Sequence, residues 1–209
     1  MKKNIWLYLI LISICTNAIQ SYAQCPPEGK DKNGNVLTGK KAKINIAKNR
    51  SSEIPAGLAS YVSLSEILYA SYGEDSNDFI GDEYVYMEGY LVDFTEQGPE
   101  SCNCYEAEKS LKNGDVHIYV GLTKNALKKD CICVEITPEF KELNPEYETL
   151  LKKNTIVRIF GYMFYDPLHR SNAANTCTSC SQVWRKTNWE IHPIVAIEPL
   201  PKKHITEIW

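Results

Sequence analysis

The sequence predicts a mainly β protein with one or two short helices, organised as a five-stranded, OB-fold-like Greek-key barrel after an N-terminal extension. Three observations predict this class. Apolar and polar residues alternate in five segments between residues 82 and 198, a helical segment follows the third of them, and long loops follow the first and the fourth. In an OB-fold, the helix lies between the third and fourth strands.

The first 23 residues predict a cleavable signal peptide. Lys2 and Lys3 precede an apolar run at residues 5–14, and the small residues Ser21 and Ala23 occupy the positions that signal peptidase reads. The run is about half as long as a membrane-spanning helix must be. Because no later segment is apolar for long enough, we expect a secreted or periplasmic protein with no transmembrane anchor in the mature chain.

Residues 24–81 predict an N-terminal extension that is extended or partly disordered, with a short helix near 63–70. The extension is rich in Lys, Asn, Gly and Pro, and only residues 42–47 alternate in it. Its basic stretch at residues 40–50 is typical of solvated surface. The whole chain has a formal net charge of −3, so composition does not favour nucleic acid as a partner.

The barrel domain is predicted at residues 82–198. Its five strands are expected at 84–94, 115–123, 131–137, 155–165 and 189–198, with a helix at 138–153 and a proline-containing tail at 199–209. Alternation assigns one face of each strand to the interior. The side chains predicted to line the core are Met87, Leu91, Val116, Ile118, Val120, Ile132, Val134, Ile136, Val157 and Ile159.

The cysteines predict disulfide bonds. Of the eight, Cys15 lies in the signal peptide, and export favours oxidation of the others. We expect Cys25, in a loose segment, to be unpaired, and no helix follows Cys177 and Cys180 that would favour a redox motif over a structural disulfide. A four-thiolate zinc site is the alternative. The disulfide candidates are Cys102, Cys104, Cys131, Cys133, Cys177 and Cys180.

Alternation also predicts a polar cluster on the outer face of the second, third and fifth strands. These strands are neighbours in an OB barrel, and this face is one that such barrels commonly use for binding. Imidazole and carboxylate groups together suit zinc or another divalent metal. The predicted ligand-binding residues are Asp115, His117, Glu135, Asp166, His169, Glu190 and His192. The metal ligands among them are predicted to be His117, His169 and His192.

Several short motifs add a family resemblance. They are Glu-Ser-Cys-Asn-Cys at 100–104, Asp-Val-His-Ile at 115–118, Val-Glu-Ile-Thr-Pro at 134–138, Asp-Pro-Leu-His at 166–169 and Trp-Glu-Ile-His-Pro at 189–193. Over about residues 82–198 the chain resembles a family of uncharacterised bacterial exported proteins with an OB-like barrel. The resemblance implies the barrel fold and places the polar residues within the family's motifs. It does not extend to Cys131, Cys133, Cys177 and Cys180.

Three functions are compatible with these patterns. The first is an exported OB-fold binding module of unknown ligand, with a divalent metal such as zinc on the outer face. The second is a metal-dependent, nuclease- or esterase-like hydrolase in which Glu135 or Glu190 is the general base. The third is a protein-interaction module whose polar cluster is purely structural. No motif in the sequence identifies a substrate.

Overall fold

The computed structural model describes residues 25–69, 83–106, 110 and 113–201. The predicted signal peptide and most of the predicted tail lie outside the described residues. No helix within these described ranges is long and apolar enough to cross a membrane. In chain order, the helices and strands are α1 Gly39–Lys48, β1 Ser60–Tyr61, α2 Leu64–Tyr69, β2 Tyr84–Glu96, β3 Val116–Gly121, β4 Ile132–Ile136, α3 Pro138–Leu143, β5 Thr155–Tyr165 and β6 Trp189–Leu200.

Strands β2 to β6 close into a barrel. The strand order is β2-β3-β4-β6-β5, and β5 pairs again with β2, while the short β1 pairs with β2 in parallel. The pairing of β4 with β6 is parallel, and the other barrel pairings are antiparallel. Helix α3 lies between the third and fourth barrel strands. This order and helix position define an OB-fold, so the predicted fold class is confirmed.

The barrel interior contains all ten of the side chains that alternation predicted. Each is at most 2% exposed, so the predicted register of the strands is confirmed. Helix α2 adds Leu64, Ile67 and Leu68 to the same core. Gly89 makes this approach possible, because a Cβ atom there would lie only 2.7 Å from Leu64 Cδ2.

Helix α3 is shorter than the predicted helix at 138–153. It begins after Thr137, whose side chain accepts a hydrogen bond from the Phe140 amide, and it ends at Leu143. Pro145 explains the early end, because proline disfavours a helical conformation for the residue before it and lacks an amide hydrogen. The chain then continues in a separate 3₁₀ helix, Tyr147–Leu150.

The N-terminal extension contains a helix where the sequence predicted an extended or partly disordered chain. Alternation at residues 42–47 suggested a strand-like pattern, but the buried residues of α1 follow a helical period. Ile46 is consequently 46% exposed, whereas Ile44 and Ala47 pack against Phe164 of β5. Packing on β5 therefore selects the helix over the extended form.

Helix α1 and two loops, 97–106 and 166–188, lie over the outer face of the barrel, and we call them the cover. Asn49, just after α1, donates from Nδ2 to the carbonyl oxygen of Cys102, at 2.8 Å. The Lys186 amide donates to the carbonyl oxygen of Cys131, which immediately precedes β4, at 2.8 Å. With the cover in place, every residue of β3 and β4 is buried.

Two disulfides are present among the described residues. One joins Cys25 to Cys104, and the other joins Cys177 to Cys180. The structural disulfide predicted at Cys177 and Cys180 is confirmed, but the prediction that Cys25 is unpaired is wrong, because the N-terminal segment packs beside loop 97–106. Three disulfide candidates are buried free thiols instead: Cys102, Cys131 and Cys133.

Candidate functional site

The polar residues predicted on β3, β4 and β6 lie together, but they do not form an exposed surface. Strand register explains the grouping, because His117 is paired with Glu135 across β3 and β4, and Cys133 is paired with Glu190 across β4 and β6. None of the five predicted strand-face residues is more than 3% exposed. The prediction of an open binding face is therefore corrected: the cover turns this face into a second, polar interior.

Glu135 is at the centre of this polar cluster. Its Oε1 lies 3.0 Å from His117 Nε2, and its Oε2 lies 2.7 Å from His192 Nδ1 and 3.9 Å from Lys48 Nζ. The two histidine contacts are close ion pairs, but these atoms have no regular hydrogen bond in the described part of the chain. Burial raises the pKa of Glu135, yet the positive charges of Lys48, His117 and His192 outweigh it and hold this pKa well below the usual range.

The two buried histidines favour the protonated form. Burial alone lowers the pKa of an imidazole. For His192 the Glu135 carboxylate outweighs burial and raises the pKa to about 10. For His117 the neighbouring Cys133 and Glu135 side chains outweigh it and hold the pKa well above its ordinary value. Asp115 differs, because burial and the nearby carboxylates of Glu100 and Glu135 raise its pKa to about 7.

Two cations complete the cluster, and sequence reasoning missed both. Lys48 Nζ, from the end of α1, lies 3.4 Å from Asp166 Oδ2 and 3.4 Å from Glu100 Oε2. Arg185, from loop 166–188, is fully buried and donates from Nη1 to Glu190 Oε1. Lys48 belongs to the basic stretch that the sequence predicts to be solvated surface, and no sequence pattern indicates a role for Arg185. The sequence signal for Lys48 was its spacing of four residues from Ile44, which in a helix places both side chains on the same face of α1.

The Trp184 ring covers part of the polar cluster. Its ring stacks on the His117 ring with centroids 5.6 Å apart and planes at 24°. The same ring meets Tyr119 and His169 edge to face, and the Arg185 guanidinium lies 4.4 Å from its centroid. Loop 166–188 thereby closes over β3 and restricts the orientation of the His117 ring.

The three histidines predicted as one metal site are not brought to one point. Potential ligand atoms within 4.8 Å of one another form four groups among the described residues, and no group contains two histidines. His169 is half-buried at the rim, where its Nε2 lies 3.7 Å from Asp166 Oδ2. The groups are His117–Cys133–Glu135, Glu100–Cys102–Asp115, Glu135–Glu190–His192 and Asp166–His169–Glu190.

No protein-family model and no curated protein matches the chain. Two similar solved structures are Entamoeba histolytica asparaginyl-tRNA synthetase in complex with asparaginyl-adenylate and a putative aspartyl-tRNA synthetase from Leishmania major Friedlin. The first is 14% identical with a TM-score of 0.36, covering 68% of this chain and 24% of the other. The second is 10% identical with a TM-score of 0.37, covering 70% and 22%. The chain thus spans about a quarter of their length, and at these scores the likeness carries no argument about function.

The hydrolase alternative requires a carboxylate that can act as a general base, and the charges around each carboxylate of the cluster decide whether it can. A general base working near neutral pH needs a pKa close to that pH. The pKa of Glu135 is far lower, and Glu190 is ion-paired with Arg185. Asp115 has a suitable pKa but is buried. The cluster is better arranged to hold a charged group than to accept protons from a substrate.

Proposed function

We propose that this protein is an exported OB-fold binding module that holds a divalent metal ion in the polar cluster between barrel and cover. One observation carries the proposal. Imidazole, thiol and carboxylate donors converge in a buried layer, and several of their polar atoms make ion-pair contacts but no regular hydrogen bond within the described ranges. These atoms are His117 Nε2, Glu135 Oε1 and Oε2, Asp166 Oδ2, Glu190 Oε2 and His192 Nδ1.

The energetics of burial support a binding role. Each ionised group removed from water costs several kcal/mol, and ion pairs offset that cost only when the geometry is good and the remaining polar atoms are satisfied. Well-packed apolar residues on the same strands would avoid the cost. Buried polar atoms without a regular hydrogen bond are rare in folded proteins and often mark functional positions. A bound cation would displace the protons of the coordinating imidazoles and give several of these atoms a ligand contact in place of their present ion pairs.

The disulfides support export. Disulfide bonds persist in oxidising compartments and are rare in the cytoplasm. In this chain one of them, Cys25–Cys104, fastens the start of the described chain to loop 97–106 of the cover. Together with the predicted signal peptide at residues 1–23, this favours a secreted or periplasmic protein.

Metal analysis tests the proposed function. Protein purified without a histidine tag and with its disulfides formed would be reloaded with zinc, dialysed and analysed for bound metal. We expect about one ion per chain, lost in Glu135→Gln and retained in Asp93→Asn, a control because Asp93 pairs with Lys128 and Lys153 away from the cluster.

Two outcomes contradict the proposal. Wild-type protein that retains no ion after reloading has no such site. Equal retention by Glu135→Gln and Asp93→Asn, with both variants folded by circular dichroism, would place the ion outside the cluster.

A further inference from the structure

We infer that the ion is bound by His117, Cys133 and Glu135, as a zinc-type site with one thiolate ligand. This inference rests on the proposed function and assigns its ligands. The three residues come together through strand register: His117 faces Glu135 across β3 and β4, and Cys133 precedes Glu135 by two positions on the same face of β4. Their ligand atoms all lie within 4.8 Å of one another, and all three residues are buried.

The partners of Lys48 and Arg185, and the types of ligand atom, distinguish this group from the other three. Lys48 already pairs with Glu100 in the second group and with Asp166 in the fourth. Arg185 already pairs with Glu190, which belongs to the third and fourth groups. In the first group, His117 Nε2 and Glu135 Oε1 face each other without an aligned hydrogen bond, and the Lys48 contact is to the other oxygen of Glu135. Of the four groups, this one alone combines an imidazole, a thiol and a carboxylate.

The donor set and its spacing fit zinc. Imidazole nitrogen, thiolate sulfur and carboxylate oxygen are its usual protein ligands, with bond lengths of about 2.0–2.3 Å in tetrahedral geometry. Two nitrogen or oxygen ligands at such a centre are roughly 3.4 Å apart. The 3.0 Å between His117 Nε2 and Glu135 Oε1 is close to that separation. Three protein ligands leave one coordination position for water or a ligand atom.

The surroundings of the site match a metal centre as well. Cys133 remains a free thiol although the described residues contain two disulfides, and it is fully buried. The stacked Trp184 ring limits rotation of the His117 ring. Ordered ligands of this kind reduce the reorganisation that metal binding requires.

Cobalt substitution tests the ligand assignment. Co²⁺ bound to a thiolate gives a sulfur-to-metal charge-transfer band in the near ultraviolet. We expect this band in the wild type and its loss in Cys133→Ser. Cys102→Ser and Cys131→Ser are matched controls, because both remove a buried free thiol, and both should keep the band. Loss of the band in Cys102→Ser instead would move the ion to the Glu100–Cys102–Asp115 group and overturn the inference.

X-ray absorption of zinc-loaded wild-type protein gives a readout that needs no variant, in case Cys133→Ser does not fold. One sulfur neighbour at about 2.3 Å is expected. A bound ion with only nitrogen and oxygen neighbours would overturn the thiolate assignment while leaving the proposed metal binding intact. A wild-type protein that binds no ion would overturn both.

Discussion

The two faces of β3 and β4 differ in chemistry but not in burial. The inner face contributes aliphatic side chains such as Ile118 and Val134 to the barrel core, and the outer face contributes His117, Cys133 and Glu135 to the polar cluster. All of these side chains are at most 3% exposed. The comparison teaches that alternation decides which residues share a face, whereas the cover decides whether the polar face meets water.

The two interiors are stabilised in different ways. Aliphatic burial is favourable residue by residue, at roughly 25 cal/mol for each Å² removed from water. The polar layer is favourable only as a balanced set, because removing one ion leaves its partners buried and uncompensated. Substitutions on the two faces should therefore differ in size and in their dependence on neighbours.

The largest effect is expected from Lys48→Met, which keeps the length of the side chain but removes its charge. Glu135, Asp166 and Glu100 would lose their shared cation, and we expect the free energy of unfolding to fall by about 3–5 kcal/mol. Urea denaturation of the metal-free protein measures it. Lys43→Met is the control, because Lys43 lies on the exposed side of the same helix. Equal stability of the two variants would show that the ionic layer contributes nothing.

A somewhat smaller effect is expected on the inner face. Ile118→Ala should lower the free energy of unfolding by about 2–4 kcal/mol, because it leaves a cavity in a core position that is fully buried. Ile118→Val should cost about 0.5–1.5 kcal/mol, and Ile46→Ala, at an exposed position of α1, should cost little. If Ile118→Ala behaves like Ile46→Ala, the interior is not packed as described.

The smallest effect is expected for Asp93, which pairs with Lys128 and Lys153 outside both interiors. Partial burial raises the pKa of Asp93, but hydrogen bonds from Lys128 and Lys153 outweigh it and lower the pKa to about 2. Because this pKa is below the unfolded value of 3.8, the stabilisation is present above that value and is lost as the pH falls through about 2. We expect less than about 1 kcal/mol, since solvent screens the pair.

Urea denaturation from neutral to acidic pH, comparing wild type with Asp93→Asn, measures this contribution. The wild type should be the more stable at neutral pH, and the difference should disappear near pH 2. A difference that grows as the pH falls would contradict the assignment.

Alternation, together with the positions of the helix and the long loops, was sufficient to predict the barrel and the composition of its two faces. The ten core residues and the common face of His117 and Glu135 follow from a period of two, because β strands direct successive side chains to opposite sides. The same reasoning placed His192 beside Glu135, since the third strand of an OB barrel lies between the second and the fifth.

The cover could not be predicted in the same way. The sequence of α1 fits both a period of two and a helical period, and only contact with Phe164 distinguishes them. The Cys25–Cys104 disulfide joins residues 79 positions apart, a separation that carries no local signal. The burial of Lys48 depends on both the helix and the disulfide. From the sequence alone, Lys48 is therefore only one residue of a basic stretch.

The position of β6 links the completion of the ionic layer to the closure of the barrel. This last strand closes the barrel by pairing with β4 and β5, and it also carries Glu190 and His192. A chain that lacks it would have open strand edges, Arg185 would lose its ion pair with Glu190, and Glu135 would lose its contact with His192. Such a chain would expose unpaired backbone groups, a feature that promotes aggregation. This strand thus closes the barrel and completes the ion pairs of the polar cluster together.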